Sequence, residues 1–190
     1  MSSNLFIISG PSGAGEDSII NGLKKIFDIE KIVTTTTRPQ RVGEIHGQHY
    51  YFSDKEVFQK NITNNNFFEW AEQDGGNLYG VTFEEIERVK NSGKIGIWKI
   101  DYKGVINAKK IIPEIPVIYI EVPLVQLGER IKKRDNASEE FIQRRLEYAT
   151  GWHTIKHLYS YTINNEDGKL EEAIAHAAEI IRDHCNKTGA

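Results

Sequence analysis

The chain has 190 residues, 39% hydrophobic and 27% charged, which is enough for one good core and short for two, so we read one domain with insertions. Its 24 Lys plus Arg against 27 Asp plus Glu give a formal charge of -3, which argues against a broad nucleic-acid or anionic-membrane surface and leaves room for a local basic pocket. One cysteine, Cys185, excludes an internal disulfide; with no apolar stretch of roughly 18 residues and no signal-peptide pattern after Met1, a soluble, cytoplasmic protein is expected.

Leu5-Phe6-Ile7-Ile8 is a short apolar run that ends in a glycine-rich loop, and apolar residues recur at helical spacing from Ile19 to Phe27. That order reads as strand, loop, helix. Residues 34 to about 82 differ in character. Tyr50-Tyr51-Phe52 and Phe67-Phe68-Glu69-Trp70 read as aromatic strands, and Ser53 with Glu56 fits a capping box for a helix from about Asp54 to Asn61. The polar run Asn61 to Asn66 reads as a loop. Thr82 with Glu85 fits a second capping box, for a helix ending before Gly93. Runs 95–100 and 116–120 read as buried strands, with helices beginning near Tyr102 and Leu124. Trp98 is expected in the core. Arg130 to Glu140 is dense in charge and reads as a mobile flap between two helices; a last helix runs from Leu170 to about His184. Alternating strand and helix predicts an α/β fold with a parallel sheet covered on both faces.

In the loop, Gly10, Gly13 and Gly15 allow backbone N–H groups to wrap an anion at a helix N-terminus. The pattern G-x-x-x-x-G-K-[ST] next needs a lysine and a hydroxyl, but the chain continues Glu16-Asp17-Ser18. A unit charge about 4 Å from a phosphate charge is worth roughly 4 kcal/mol at an effective dielectric near 20. Reversing its sign is therefore a large perturbation. His153 and His157 are four apart, without the carboxylate or third ligand of a metal site.

The chain resembles the guanylate kinase family over residues 4 to 182, through I-S-G-P-S-G-A-G at 8–15, T-T-R-P-Q-R at 36–41, G-E-I-H-G-Q-H-Y at 43–50, F-F-E-W-A-E at 67–72, N-L-Y-G at 77–80 and I-D-Y-K-G at 100–104. The resemblance implies a P-loop NTPase-type three-layer α/β/α core (1–33 and 83–190), a nucleoside-monophosphate-binding insertion (about 34–82) and a lid (about 130–145). It implies phosphoryl transfer from ATP, with Mg2+, to GMP; the balanced charge and the lack of a long apolar run predict no nucleic-acid or membrane partner. Arg38 and Arg41 present planar cationic forks, with Thr34 as a hydroxyl, to one phosphate; by resemblance Tyr50 and Tyr79 join them and Asp101 completes the GMP set. Glu69 can accept from the N1 and N2 donors of guanine. Gly10, Ser12, Gly13, Ala14, Gly15, Glu16, Asp17, Ser18, Arg130 and Asn165 fall on the ATP side, and Arg134 and Arg145 match lid arginines that would act in catalysis with Lys99 and Asp101.

Three departures stand out. Val81 occupies a position where the family places Ser or Thr, which implies a shifted register or weaker guanine discrimination. The family glycine after the lid arginine is missing: Asp135 and Asn136 follow Arg134. Lys99 stands where the family has an aspartate, while Glu16 stands where it has a lysine. Such a paired exchange predicts that Lys99 and Glu16 face each other; either Lys99 then reaches the phosphates while Asp17 offers magnesium a hard oxygen, or the two charges cancel. Two alternatives stay open: an impaired guanylate kinase-like binding module for GMP or a phosphorylated peptide, and a kinase for another small phosphorylated substrate.

Overall fold

The computed structural model describes residues 4–188 apart from 74, 75 and 137. The first apolar run forms β1 (Leu5–Ser9), buried along its whole length. A strand buried on both faces needs neighbours on both edges, and β1 lies parallel between β7 (Ile95–Lys99) and β8 (Val117–Glu121). The edge strands β2 (Ile29–Lys31) and β9 (Tyr161–Asn164) complete a parallel sheet in the order β2-β7-β1-β8-β9.

Successive strand side chains point to opposite faces, and the two cores divide accordingly. Phe6 and Ile8 pack with α1 (Glu16–Leu23) and α7 (Leu170–Thr188). Leu5, Ile7 and Trp98 pack with α3 (Phe83–Asn91) and α4 (Tyr102–Ile111). The result is the expected α/β/α sandwich, with Trp98 fully buried.

The chain between β2 and α3 builds a second sheet, β4-β3-β6-β5, from β3 (Thr35–Thr36), β4 (Tyr51–Phe52), β5 (Phe67–Gln73) and β6 (Asn77–Thr82). Its own core is small: Phe58 of α2 (Lys55–Thr63) stacks on Phe67 at 4.2 Å between ring centroids, with Leu78 beside them. Phe68 instead meets Trp98 edge-on, 5.8 Å between centroids, and fastens this sheet to the main core.

Several boundaries differ from the sequence reading, each for a local reason. Helix α1 starts at Glu16 rather than Ile19. Gly13 and Gly15 are left-handed, with φ of 91° and 94°, and turn the chain straight into the helix; acidic first-turn residues suit a helix N-terminus but carry no apolar signal. The Ser53 capping box does not form. Asp54 is the cap residue of α2, and the Ser53 hydroxyl donates to the Asp54 carbonyl at 3.1 Å. The Thr82 cap does form: its hydroxyl accepts from Glu85 N–H at 3.2 Å. The charged stretch 130–140 is not a flap of irregular chain, because α5 (Leu124–Asp135) and α6 (Glu139–Thr154) cover most of it. Asn136 closes α5 in the left-handed region, φ 46° and ψ 42°. Asn tolerates that conformation better than most residues, so the helix turns off there without a glycine.

Glu85, 4% exposed, ties the two sheets together. One oxygen accepts from Val33 N–H at 2.7 Å, the other from Tyr51 hydroxyl at 3.3 Å, and Arg88 grips both oxygens at 2.8 Å. Truncation leaves the buried Val33 N–H without its acceptor and Arg88 with only Glu30 and the Lys31 carbonyl. Glu85→Ala is expected to lower stability by roughly 3 kcal/mol, read as a lower urea midpoint at unchanged slope; a loss below about 0.5 kcal/mol would show the network to be an ordinary surface pair.

Candidate functional site

The glycine loop is closed by Ala14 N–H to Pro11 carbonyl, 2.9 Å, and leads into α1 through Ile19 N–H to Gly15 carbonyl, 3.0 Å. Space around it is tight. A Cβ on Gly10 would lie 2.9 Å from Ala14 Cβ, and one on Gly15 would lie 2.5 Å from Asn165 Nδ2. That amide donates to Ala14 carbonyl at 2.7 Å. Arg130 donates to the carbonyls of Gly13 (3.2 Å) and Asn165 (2.8 Å) and pairs with Asp167 at 2.7 Å. Arg134 donates to Ser12 hydroxyl at 3.0 Å. Four sequence-predicted residues thus hold the loop itself: Ser12, Arg130, Arg134 and Asn165.

Beside the loop lies a cavity of about 320 Å³ that runs from Gly10 and Ser12 past Arg38 and Tyr50 to Glu69. Thr34, Arg41, Tyr79, Lys99, Asp101 and Arg145 also border it. Arg38 is fixed from three sides: Glu44 accepts from Nη2 at 2.7 Å, Pro39 carbonyl accepts from Nη1 at 2.6 Å, and the guanidinium lies 5.3 Å from the Tyr50 ring centroid. Tyr50 and Tyr79 meet edge-on, 6.1 Å between centroids. Glu44 also accepts from Arg41 N–H at 2.8 Å. It organises both arginines, and sequence reasoning missed it although it lies within the quoted 43–50 motif. Arg145 lies over the Phe141 ring at 5.1 Å, while Arg144 turns outward to Glu140 at 3.2 Å.

At the far end Glu69 is 8% exposed, and its Oε2 has no hydrogen-bond partner among the described residues. Burial, and then the nearby Asp101, push its carboxyl up to about 8 against a hydrogen bond from Asn107. An orphaned buried oxygen bordering a cavity is laid out for a ligand donor. Asp101 caps α4 by accepting from Gly104 N–H at 2.9 Å, and its other oxygen accepts from Tyr148 hydroxyl at 2.8 Å. Tyr148 and Trp152, whose indole N–H donates to Ser9 at 3.0 Å, border the cavity from α6; neither was singled out from sequence. Val81 does not. It is buried with Phe68 and Trp98; the β5–β6 register does shift between Phe67 and Glu69, yet Thr82 caps α3, so the shift brings no hydroxyl to the cavity.

A second cavity, about 440 Å³, lies on the outer side of the loop and is bordered by Gly13, Gly15, Asp17, Ser18, Arg130 and Asn165. Glu16 borders both cavities. Burial pushes its carboxyl up to about 7, opposed by its own backbone hydrogen bond and by Lys99.

Lys99 makes its ion pair with Asp17, while Glu16 stays within its electrostatic reach. Lys99 Nζ lies 2.8 Å from both carboxylate oxygens of Asp17, one residue further on. Burial alone would raise Asp17 and lower Lys99, but their mutual attraction wins and moves both the other way. Asp17 is therefore not laid out as a magnesium ligand: an ammonium already faces both its oxygens. Among the described residues no group of three or more His, Cys, Asp or Glu could hold a metal ion, and no helix is long and apolar enough to cross a membrane.

The family profile described as Guanylate kinase matches residues 2–184. A guanylate kinase of Shewanella violacea is 40% identical over 182 residues, 94% of this chain and 86% of the relative. One of Carboxydothermus hydrogenoformans is 39% identical over 174 residues, 90% and 83% of the two chains. Among solved structures, guanylate kinase from Anaplasma phagocytophilum superposes with a TM-score of 0.68 at 29% identity, over 94% of this chain and 84% of that one.

Proposed function

The chain belongs to the guanylate kinase family, and from that premise we propose that it transfers the γ-phosphoryl group of MgATP to GMP. The supporting observation is the continuity of one cavity from the glycine loop, past the Arg38–Tyr50–Tyr79 group, to the orphaned Glu69 oxygen. One cavity thus brings together the loop, the acceptor-phosphate group and the carboxylate for the base that such a transfer needs.

In the reaction an oxygen of the GMP phosphate forms a bond to the γ-phosphorus, and the bond from that phosphorus to the β,γ-bridging oxygen breaks. ADP leaves with the electron pair, and no net proton transfer is needed when the GMP phosphate is a dianion. Arg38, Arg41, Thr34, Tyr50 and Tyr79 hold the acceptor phosphate. Glu69 accepts from guanine N1–H and N2–H, with Asp101 beside it. The glycine loop, from Gly10 to Ser18, holds the ATP phosphates by its backbone N–H groups, with Arg130 and Asn165 bracing it. Arg134 and Arg145, with Lys99, lie over the transferring group and stabilise its spread charge. Magnesium bound to the phosphates of ATP would offset part of their charge, while Asp17 faces Lys99 before ATP binds.

Calorimetric titration with GMP, MgATP and both, coupled to ADP detection, tests the reading. Binding of each nucleotide and ADP formation that requires GMP are the expected results. GMP binding without ATP binding or turnover would favour the binding-module alternative, for which the acidic Glu16 at the loop exit speaks; ADP formation only with another phosphorylated acceptor would favour the third reading, for which the buried Val81 speaks.

A further inference from the structure

The loop lacks a lysine of its own, yet it does not lack an ammonium. Lys99 is the last residue of β7, and parallel pairing sets it beside Ile8, immediately before the chain enters the loop. From that place its side chain crosses to the first turn of α1 and meets Asp17 with both oxygens at 2.8 Å. Lys99 also borders the cavity that holds Arg38, Tyr50 and Ser12, so its ammonium sits where loop and acceptor pocket join.

Charged and titratable groups face it from each neighbouring element: Glu16 and Asp17 from α1, Lys31 from the end of β2 and Tyr50 from the inserted sheet. The Lys99 side chain is 27% exposed and that of Asp17 68%. An ion pair this accessible is held weakly. A polyphosphate carrying several charges can take the ammonium over, which it could not do from a deeply buried pair.

Resting on the phosphotransfer reading above, we propose that Lys99 is the phosphate-contacting lysine of this enzyme and that Asp17 is its positioning residue. Strand β7 supplies the cation that the loop usually supplies from α1. Asp17 seats it between the loop and the acceptor pocket, and the γ-phosphoryl group takes it from that seat as transfer proceeds.

The experiment compares wild type, Lys99→Met, Lys99→Arg, Asp17→Asn and the Asp17→Asn/Lys99→Met double variant, with ATP and Mg2+ varied separately. Thermal melting and far-ultraviolet circular dichroism serve as checks of folding, since neither side chain belongs to a hydrophobic core. Lys99→Met is expected to lower kcat roughly 100-fold or more, in keeping with loss of one close charge contact, and ATP affinity about tenfold. Lys99→Arg should recover most of the lost rate. Asp17→Asn should lower kcat about tenfold in the wild-type background and not at all beside Lys99→Met, as expected of a residue that acts through its partner; its Mg2+ requirement should match wild type. Equal losses from Asp17→Asn in both backgrounds, a raised Mg2+ requirement, or wild-type kcat in Lys99→Met would each overturn the proposal. If wild type binds ATP without turnover, the functional reading falls and the ATP affinities still decide the role of Lys99. If it binds no ATP, both fall.

Discussion

Glu69→Gln is expected to stabilise the protein in mildly alkaline solution and to lower GMP turnover roughly 100- to 1000-fold at the same time. Both effects come from one oxygen. Burial raises the Glu69 carboxyl to about 8 in the folded chain, above the ordinary carboxylate value of about 4.3 that the unfolded chain shows. The stability linked to this group is therefore complete below about pH 4.3 and is lost as pH rises through about 8, by roughly 3–5 kcal/mol in all. Glutamine does not titrate, so its urea midpoint should change less than that of wild type between pH 5 and pH 9. Parallel midpoint curves would refute the assignment. Guanine, for its part, offers two adjacent donors. A carboxylate accepts both, whereas the glutamine amide meets one of them with its own N–H. GMP binding should accordingly pull Glu69 into its ionised form and release close to one proton at pH 7. Calorimetry in buffers of different ionisation heat measures that release, and it should vanish in Glu69→Gln.

The same residue shows how far the sequence could be read. The aromatic run Phe67 to Trp70 announced a strand, and its partner motifs placed Glu69 at a pocket; that its Oε2 would be orphaned depends on α4 packing against β5 with Asp101 and Asn107 nearby, which no local pattern reports. Continuous apolar runs made β1, β7 and β8 legible because strands buried on both faces need them. The edge strands β2 and β9 were not, since Ile29-Glu30-Lys31 and Tyr161-Thr162-Ile163-Asn164 are half polar, as edges are. Charge concealed the helices around 130–140: a row of Lys, Arg and Glu looks like a flexible segment, yet it belongs to α5 and α6, with Arg130 and Arg134 turned to the glycine loop and Asn136 between the helices. Tyr148 and Trp152 were missed because their partners, Asp101 and Ser9, are 47 and 143 positions away. The exchanged charges at 16 and 99 were visible as an anomaly. Their outcome was not, because Lys99 has two neighbouring carboxylates within reach and its pairing with Asp17 depends on the fold.

Lys99→Asp should be far more damaging than Lys99→Met, and Glu16→Lys should undo most of the damage. In wild type Glu16, Asp17 and Lys99 sum to -1 by formal charge when Glu16 is ionised. Lys99→Asp places three carboxylates where polyphosphate must enter, a sum of -3. Reversing one charge about 4 Å from a phosphate exchanges an attraction of roughly 4 kcal/mol for a repulsion of similar size before solvent and metal screen it. A loss in kcat/KM for ATP of at least about 1000-fold is the expected result. Adding Glu16→Lys returns the sum to -1, with the cation now on α1, where it can pair with Asp17 or with the carboxylate introduced at the end of β7. Recovery to within about 30-fold of wild type would show that the site needs one ammonium at the loop exit and tolerates delivery from either element. Glu16→Lys alone separates this from simple decay of the loop. If wild-type Lys99 already serves the phosphates, a second lysine crowds it and Arg134 and leaves kcat within about threefold of wild type; a gain of 100-fold or more would mean that Lys99 contributes nothing and that the loop had merely lost its lysine. The outcome turns on where charge sits within a few ångströms of the loop, which a net charge of -3 for the whole chain does not reveal.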